Sequence, residues 1–179
     1  MKHYISSKKH ITLAGLILFA SVIIFINGCK KESGTFTVLL TDAPGSYQEV
    51  NVEILTVKVH VDAAKNKKAG WYDLTTNTGI YDLIKLQNNV TATLAVGEEL
   101  PAGDITQISL MLGTNNTVKD STGQIYSMTV PSGTETGIKI VGRQLVKNED
   151  GNITLDFDAS MSVTYSGTSY VLNPVITVK

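Results

Sequence analysis

From Val50 to Val61 apolar and polar residues alternate, but the alternation changes phase once: Val50, Val52 and Ile54 hold even positions, whereas Val57, Val59 and Val61 hold odd ones. Successive side chains of a strand point to opposite faces, so a run of this kind buries its valines together only as a strand lying on a core. A helix would scatter them around its circumference. The phase change constrains the fold as well. With a side-chain period of two, a slip of one residue turns the second half of the strand inside out unless an extra residue is accommodated. A β-bulge at Leu55–Thr56, or a strand that crosses there from one sheet to another, is therefore expected.

The same period recurs in Thr35 to Thr41, Trp71 to Thr75, Ile105 to Gly113, Gln124 to Val130, Ile153 to Ala159, Ser162 to Tyr165 and Tyr170 to Lys179. These segments are rich in Val, Ile, Thr and Tyr, which suit a pleated, half-buried surface. Between them stand the turn formers Asp42-Ala43-Pro44-Gly45, Asn148-Glu149-Asp150-Gly151 and Ser166-Gly167-Thr168-Ser169. No stretch keeps a helical period for three turns. Only Ile80 to Gln87, where Ile80, Leu83, Ile84 and Gln87 share a face, has room for one or two turns. The expected fold class is all-β: a two-sheet antiparallel β-sandwich, Greek-key, immunoglobulin- or transthyretin-like, with at most one short helical turn. Asp42 to Gly45 reads as a tight turn leading from the first strand to the long one, Pro44 presetting φ and Gly45 free to take φ > 0.

Ahead of this domain lies an export signal. Lys2, Lys8 and Lys9 with His3 and His10 form a basic start, followed by the apolar run Ile11 to Ile26. Sixteen residues fall short of the roughly 20 that a spanning helix needs, and the flanks are those of a signal peptide. The run ends in Ile26-Asn27-Gly28-Cys29, which resembles the lipobox: an aliphatic residue, a variable one, a small one, then the cysteine that takes a diacylglyceryl group. Cys29 is the only cysteine, so no intrachain disulfide forms. Lys30 does not resemble the aspartate that retains lipoproteins in the inner membrane. The expected layout is a signal peptide over 1–28, a lipidated tether over 29–33 and one β-sandwich domain over 34–179, exported and held by lipid at the outer membrane on its periplasmic or surface face. Cleavage leaves 151 residues with twelve basic and sixteen acidic side chains, a net charge of −4. That length supports one core without staples, and an acidic domain with no basic stripe argues against nucleic acid. The one basic cluster, Lys65, Lys67 and Lys68, reads as a solvated hairpin tip.

Few chemistries survive this composition. His60 is the only histidine left after cleavage, and it sits on the long strand opposite in parity to Val57, Val59 and Val61. There is no Gly-x-Ser-x-Gly, no Gly-x-Gly-x-x-Gly, and no ligand set for zinc. Asp42, Asp156 and Asp158 are the carboxylate candidates. Asp156 and Asp158 are two apart, hence on one strand face, and with Asp42 at a turn they offer oxygen ligands to a hard cation such as calcium. The plainer alternative has Phe157 facing the core and both aspartates in solvent or capping backbone amides; it is favoured, and no metal or other cofactor is assigned. Sugar binding needs exposed aromatic platforms. Of Trp71 and Tyr72, neighbours on a strand, one must face inward and one outward. Tyr47, Tyr81, Tyr126, Tyr165 and Tyr170 read as scattered rather than striped.

A set of short strings carries a resemblance: Leu39-Leu40-Thr41-Asp42-Ala43-Pro44-Gly45, Val57-x-Val59-His60, Tyr81-Asp82-Leu83 with Leu86-Gln87-Asn88, Leu100-Pro101-Ala102-Gly103 with Thr106-Gln107-Ile108, Leu112-Gly113 with Asn115-Asn116, Val130-Pro131-Ser132-Gly133, Gly137-Ile138-Lys139, Leu155-Asp156-Phe157-Asp158-Ala159, and Leu172-x-Pro174-Val175-Ile176. In this order they resemble the lipoprotein family named domain of unknown function 4382. The resemblance runs from about Gly34 to Val178. It implies an exported, usually lipid-anchored β-rich domain of bacterial and archaeal envelopes, with no established activity and no assigned functional residues.

The polar members of these strings, Asp42, Asn115, Asn116, Lys139, Asp156 and Asp158, are expected to converge at one end of the sandwich, Lys139 neutralising the aspartate pair as a charge network or a small polar site. Asp120-Ser121-Thr122 resembles an O-glycosylation sequence of exported Bacteroidota proteins, with Ser121 as acceptor. The leading functional expectation is a non-catalytic binding or structural module, tied to the membrane through Cys29, with an envelope protein or a glycan as partner. A glycan-binding domain using Trp71 or Tyr72, and a hydrolase using two carboxylates about 5–10 Å apart, are the alternatives.

Overall fold

The alternating run beginning at Val50 is the longest strand of the structure, a computed structural model describing residues 33–63, 68–131, 137–146 and 150–179. The leader, the lipobox and Cys29, residues 64–67 with Lys65 and Lys67, and Asn148 and Glu149 of the Asn148–Gly151 turn lie outside the described residues. In chain order the strands are β1 (Ser33–Thr41), β2 (Glu49–Ala63), β3 (Gly70–Asp73), β4 (Thr75–Thr76), β5 (Gly79–Asp82), β6 (Ala92–Pro101), β7 (Gly103–Leu112), β8 (Thr117–Lys119), β9 (Ile125–Thr129), β10 (Ile138–Val146), β11 (Gly151–Phe157), β12 (Val163–Tyr165), β13 (Tyr170–Leu172) and β14 (Ile176–Val178). A 3-10 turn, Leu83–Leu86, follows β5, and a four-residue helix, α1 (Ala159–Ser162), follows β11.

Among the described residues the strands form two sheets. One runs β14-β11-β1-β6-β4; the other runs β10-β7-β2-β8-β9-β13-β12, with β3 and β5 paired to the opposite edge of β2. The all-β, sandwich-like expectation is met, with two amendments. The sheets are mixed, since β1 pairs with β11 in parallel and β13 with β9 in parallel. These partners are far apart in the chain or separated by strands of other pairs, so no hairpin forces them antiparallel. Among the described residues there are also two short helical segments rather than at most one.

β2 shows how the phase change is absorbed. Ile54 pairs with Leu112 and Thr56 with Met111, so Leu55 is the extra residue of a bulge. Val50, Val52 and Ile54 before it and Val57, Val59 and Val61 after it are all buried in one core. Phe36, Val38 and Leu40 of β1 and Ile153, Leu155 and Phe157 of β11 close that core from the first sheet. Each such side chain, fully withdrawn from water, contributes about 1.5–3 kcal/mol. β7 carries a second irregularity: Ile105 and Ile108, both buried, are three apart, and the register with β2 shifts between His60 and Val61 to leave Thr106 unpaired.

Candidate functional site

The chain leaves β1 at Asp42, which is 2% exposed. Its carboxylate is held from two directions: Ala159 N–H at the start of α1 donates to Oδ1 (2.9 Å), and Gln87 Nε2 donates to Oδ2 (3.1 Å). Next to it Thr41 Oγ1 donates to the carbonyls of Leu86 and Val90, and Asp42 N–H donates to Leu86 O. Asp42 thus ties the end of the first strand to the loop after the 3-10 turn and to α1. Burial is the largest influence on its acidity and raises its pKa; the bonds from Ala159 and Gln87 oppose this, and the nearby charges of Asp158 and Asp156 add to it. No helix separates Asp42 from β2, but residues 42–45 form no hydrogen-bonded turn and Gly45 does not take φ > 0, so the expected tight turn is an open connection. Gly45 is needed for closeness instead: a Cβ there would stand 2.6 Å from Ser160 Oγ.

Asp156 and Asp158 flank Phe157 but do not act as a same-face pair on one strand. β11 ends at Phe157, and Asp158 caps α1, its Oδ1 accepting from Met161 N–H (2.8 Å). This is the favoured alternative of the sequence reading, with Phe157 facing the core and an aspartate capping backbone amides; what the strand reading lacked was the short helix that Asp158 caps. Asp156 lies between Thr41 and Thr177 in the sheet, and its Oδ2 pairs with Lys179 Nζ (2.9 Å), while Oδ1 is buried without a hydrogen bond. Lys179, not Lys139, is the cation at this carboxylate. Among the described residues no three acidic, histidine or cysteine side chains are grouped to hold a metal ion.

Asn115 and Asn116 belong to a different construction, on the second sheet. Glu53, a residue that the sequence reading left out, accepts from Asn115 N–H at Oε2 (3.0 Å) and from Asn115 Nδ2 at Oε1 (2.8 Å). Asn116 Oδ1 accepts from Glu53 N–H (2.9 Å), and its Nδ2 donates to Gly113 O (2.8 Å). Gly113 lies beneath the Glu53 side chain, where a Cβ would overlap the carboxylate. Asn115, first by its side chain and then by its N–H, holds the Glu53 carboxyl below its ordinary range. A depressed carboxylate stabilises the fold above its ordinary pKa and loses that contribution as pH falls through the folded value. Glu53→Gln is accordingly expected to speed hydrogen exchange at the Asn115 amide at neutral pH, and acidifying the unaltered protein through the carboxylate range should produce the same loss of protection.

Lys139 stands apart from both groups. It pairs across β7 with Ser109, which pairs with Lys58 of β2, whose neighbour is Asp73 of β3. Lys58 faces opposite to the buried Val57 and Val59, so Lys139 shares the outer face of the second sheet, away from Asp156 and Asp158. The six polar residues therefore do not converge. Asp42, Asp156 and Asp158 meet at the first sheet, Asn115 and Asn116 lock the β7–β8 connection, and Lys139 is exposed.

The aromatic residues are arranged differently from the scattered reading. Tyr126, Tyr170 and Tyr165 come from the neighbouring strands β9, β13 and β12, and the Tyr170 ring lies 5.0 Å from each of the others, at 43° and 47°. Tyr126 is 39% and Tyr165 58% exposed. Trp71 faces outward at 42% exposure, edge-on to His60 at 5.3 Å, while Tyr72 is half-buried. His60 Nδ1 contacts Thr106 Oγ1 (3.2 Å) and Asp62 Oδ1 (3.4 Å). Ser121 is exposed in the Asp120–Gln124 turn between β8 and β9, and Lys68 is exposed ahead of β3.

Residues 33–174 match the family model described as domain of unknown function (DUF4382). No curated protein matches the chain. Among solved structures, a Bacteroides fragilis protein provisionally named a cell adhesion protein aligns with a TM-score of 0.34 and 12% identity, over 83% of this chain and 45% of its own. The chain thus spans less than half of that protein.

Proposed function

This chain belongs to the family of the domain of unknown function DUF4382, and from that premise we propose that it is a non-catalytic envelope module, anchored by lipid on Cys29, that binds or braces a partner without transforming it. The observation that carries this reading is the use made of the acids. Asp42 engages Ala159 and Gln87, Asp158 caps α1, and Asp156 pairs with Lys179, so each carboxylate open to suspicion of catalysis has a bracing task within the fold. A hydrolase would need one such acid to present a proton or a lone pair to substrate. Ile26-Asn27-Gly28-Cys29 supports the anchor, and two or three acyl chains on a mature lipoprotein hold it stably where one would not.

The anchor is tested in cells of a lipoprotein-processing host. Cys29→Ser is expected to leave an unprocessed precursor and to abolish labelling by a clickable fatty acid; normal maturation and labelling of that variant would end the reading. Protease shaving of intact cells assigns the face of the outer membrane. We also propose Ser121 as an O-glycan acceptor, and an intact mass accounting for only polypeptide and lipid would dispose of it.

A further inference from the structure

We propose that Tyr126, Tyr165 and Tyr170 form a binding surface for a neutral polysaccharide at the margin of the β9-β13-β12 strands. The inference deepens the module reading and rests on it, by naming the ligand class the domain would take.

The strands place the rings in a row. Tyr165 and Tyr170 are direct partners across the β12–β13 hairpin, and Tyr126 follows on β9, with Tyr170 in the middle. Two residues further along each strand, on the same face, stand Met128, Val163 and Leu172, all buried. The face that supplies core at one end of these strands therefore runs out of the core and ends in tyrosines. Core closure does not require the outer rings, given how much of Tyr126 and Tyr165 remains in water. Adjacent rings are tilted by 43° and 47° rather than stacked flat, and Tyr126 and Tyr165 on either side of the half-buried Tyr170 stay exposed.

Polar groups border the row. The Asp120–Gln124 turn leads into β9, and the Ser166–Ser169 turn joins Tyr165 to Tyr170. Thr122 N–H, Thr122 Oγ1 and Gln124 N–H all donate to Asp120 Oδ1, at 2.9, 2.7 and 3.0 Å, and the Gly123 N–H adds to the holding of this carboxylate at the edge of the row. Those bonds, that of the Thr122 hydroxyl foremost, keep the Asp120 carboxyl below its ordinary range and ionised. Its charge is felt at Tyr170, whose pKa is raised chiefly by desolvation and next by Asp120.

This arrangement matches one ligand chemistry. A pyranose ring has C–H faces that stack on an aromatic face and hydroxyl edges that need acceptors and donors, and tyrosine supplies an apolar body with a polar tip. An ionised Asp120 accepts from sugar hydroxyls and repels uronic acids, which makes the surface selective for neutral chains. A stable protein partner would ask for about 1,200–2,000 Å² with an apolar centre. Three rings rimmed by serines, a threonine and a carboxylate offer a narrow, wet strip instead.

Affinity electrophoresis tests this with the full chain in a nonionic detergent, in native gels containing β-glucan, galactomannan, starch or polygalacturonate. Retardation in at least one of the neutral gels is expected, with little in polygalacturonate. Tyr126→Ala with Tyr165→Ala should weaken it by about tenfold or more, a loss readily resolved as affinity, and Asp120→Asn should weaken it less. Should the double variant unfold, as read by its melting curve, Tyr165→Ser alone carries the test, since that ring is the most exposed of the three. The proposal is overturned if no neutral gel retards the protein, if polygalacturonate retards it as strongly, if the tyrosine variants bind unchanged, or if Trp71→Ala is what removes binding. Acyl labelling at Cys29 is read separately, so a failure here is distinguishable from a failure of the anchor.

Discussion

Deleting Lys58 is expected to abolish folding, whereas deleting Leu55, three positions earlier in the same strand, is expected to leave a folded protein. Leu55 is the residue that β2 accommodates as a bulge against β7. Without it Ile54, Val57, Val59 and Val61 fall into one uninterrupted alternation, and the ladder to β7 becomes regular. What is lost is local: Leu55 O accepts from Thr78 Oγ1 (3.0 Å), a bond worth on the order of 1 kcal/mol. Removing Lys58 does the reverse. Val59 and Val61, both 0% exposed, would turn outward, and His60 and Asp62 would turn to the core. Exposing two valines costs about 3–6 kcal/mol, and burying an unpaired carboxylate adds several more, against a usual total stability of about 5–15 kcal/mol. Soluble yield and a cooperative melt for each deletion decide the matter. A Lys58 deletion that melts like the parent would refute the register.

Asp42→Ala is expected to lower stability by about 1–3 kcal/mol, because it strands the buried Ala159 N–H with no acceptor. Asp42→Asn should cost much less, since the amide oxygen still accepts from Ala159 and the amide nitrogen can meet a reoriented Gln87. The two variants also separate in pH. Burial raises the Asp42 pKa, so the folded state holds this proton more tightly than the unfolded one. Where the folded state binds more protons, stability falls as pH rises. The Asp42 contribution is therefore greatest below its ordinary value of 3.8 and declines as pH rises through the folded pKa. Urea melts from acid to neutral pH should show this decline in the parent relative to Asp42→Asn, whose side chain does not titrate. A difference of the opposite sign would mean that the hydrogen bonds outweigh burial.

The bulge of β2 could be read from the chain because valine phase survives in the residue pattern. β6 could not. Its Leu94 and Ala95 are both buried beside each other, since the register with β1 shifts between Val38 and Leu39, and adjacent buried residues erase alternation. β10 was hidden by the opposite fault, an apolar Val141 that is 82% exposed. Tyr170 to Lys179 reads as one strand but is two, β13 in the second sheet and β14 in the first, broken around Pro174, which has no N–H for a ladder. The site residues were legible by type but not by partner. A side chain such as Asp42 bonding a backbone amide 117 residues away has no period to betray it, and Glu53 was overlooked among the polar positions of a strand chosen for its valines. The tyrosine row depends on β9 and β13 lying side by side in parallel, a pairing that no local turn announces.

The parallel union of β1 and β11 bears on the order in which this protein assembles. β1 is interior to its sheet, between β6 and β11, and the contact from Thr35 to Asp150 closes a loop of 115 residues. Loop entropy must be met before such a contact returns anything, so pairings of this span form late and folding dominated by them runs in the millisecond-to-second range. Hairpins such as β12–β13 close over a few residues and can form at once. The first strand of the domain thus waits for one of the last, and until β11 docks it presents an unsatisfied edge carrying Phe36, Val38 and Leu40. A nascent chain caught in that interval is open to pairing with its own copies, which makes the refolding yield of this domain sensitive to concentration.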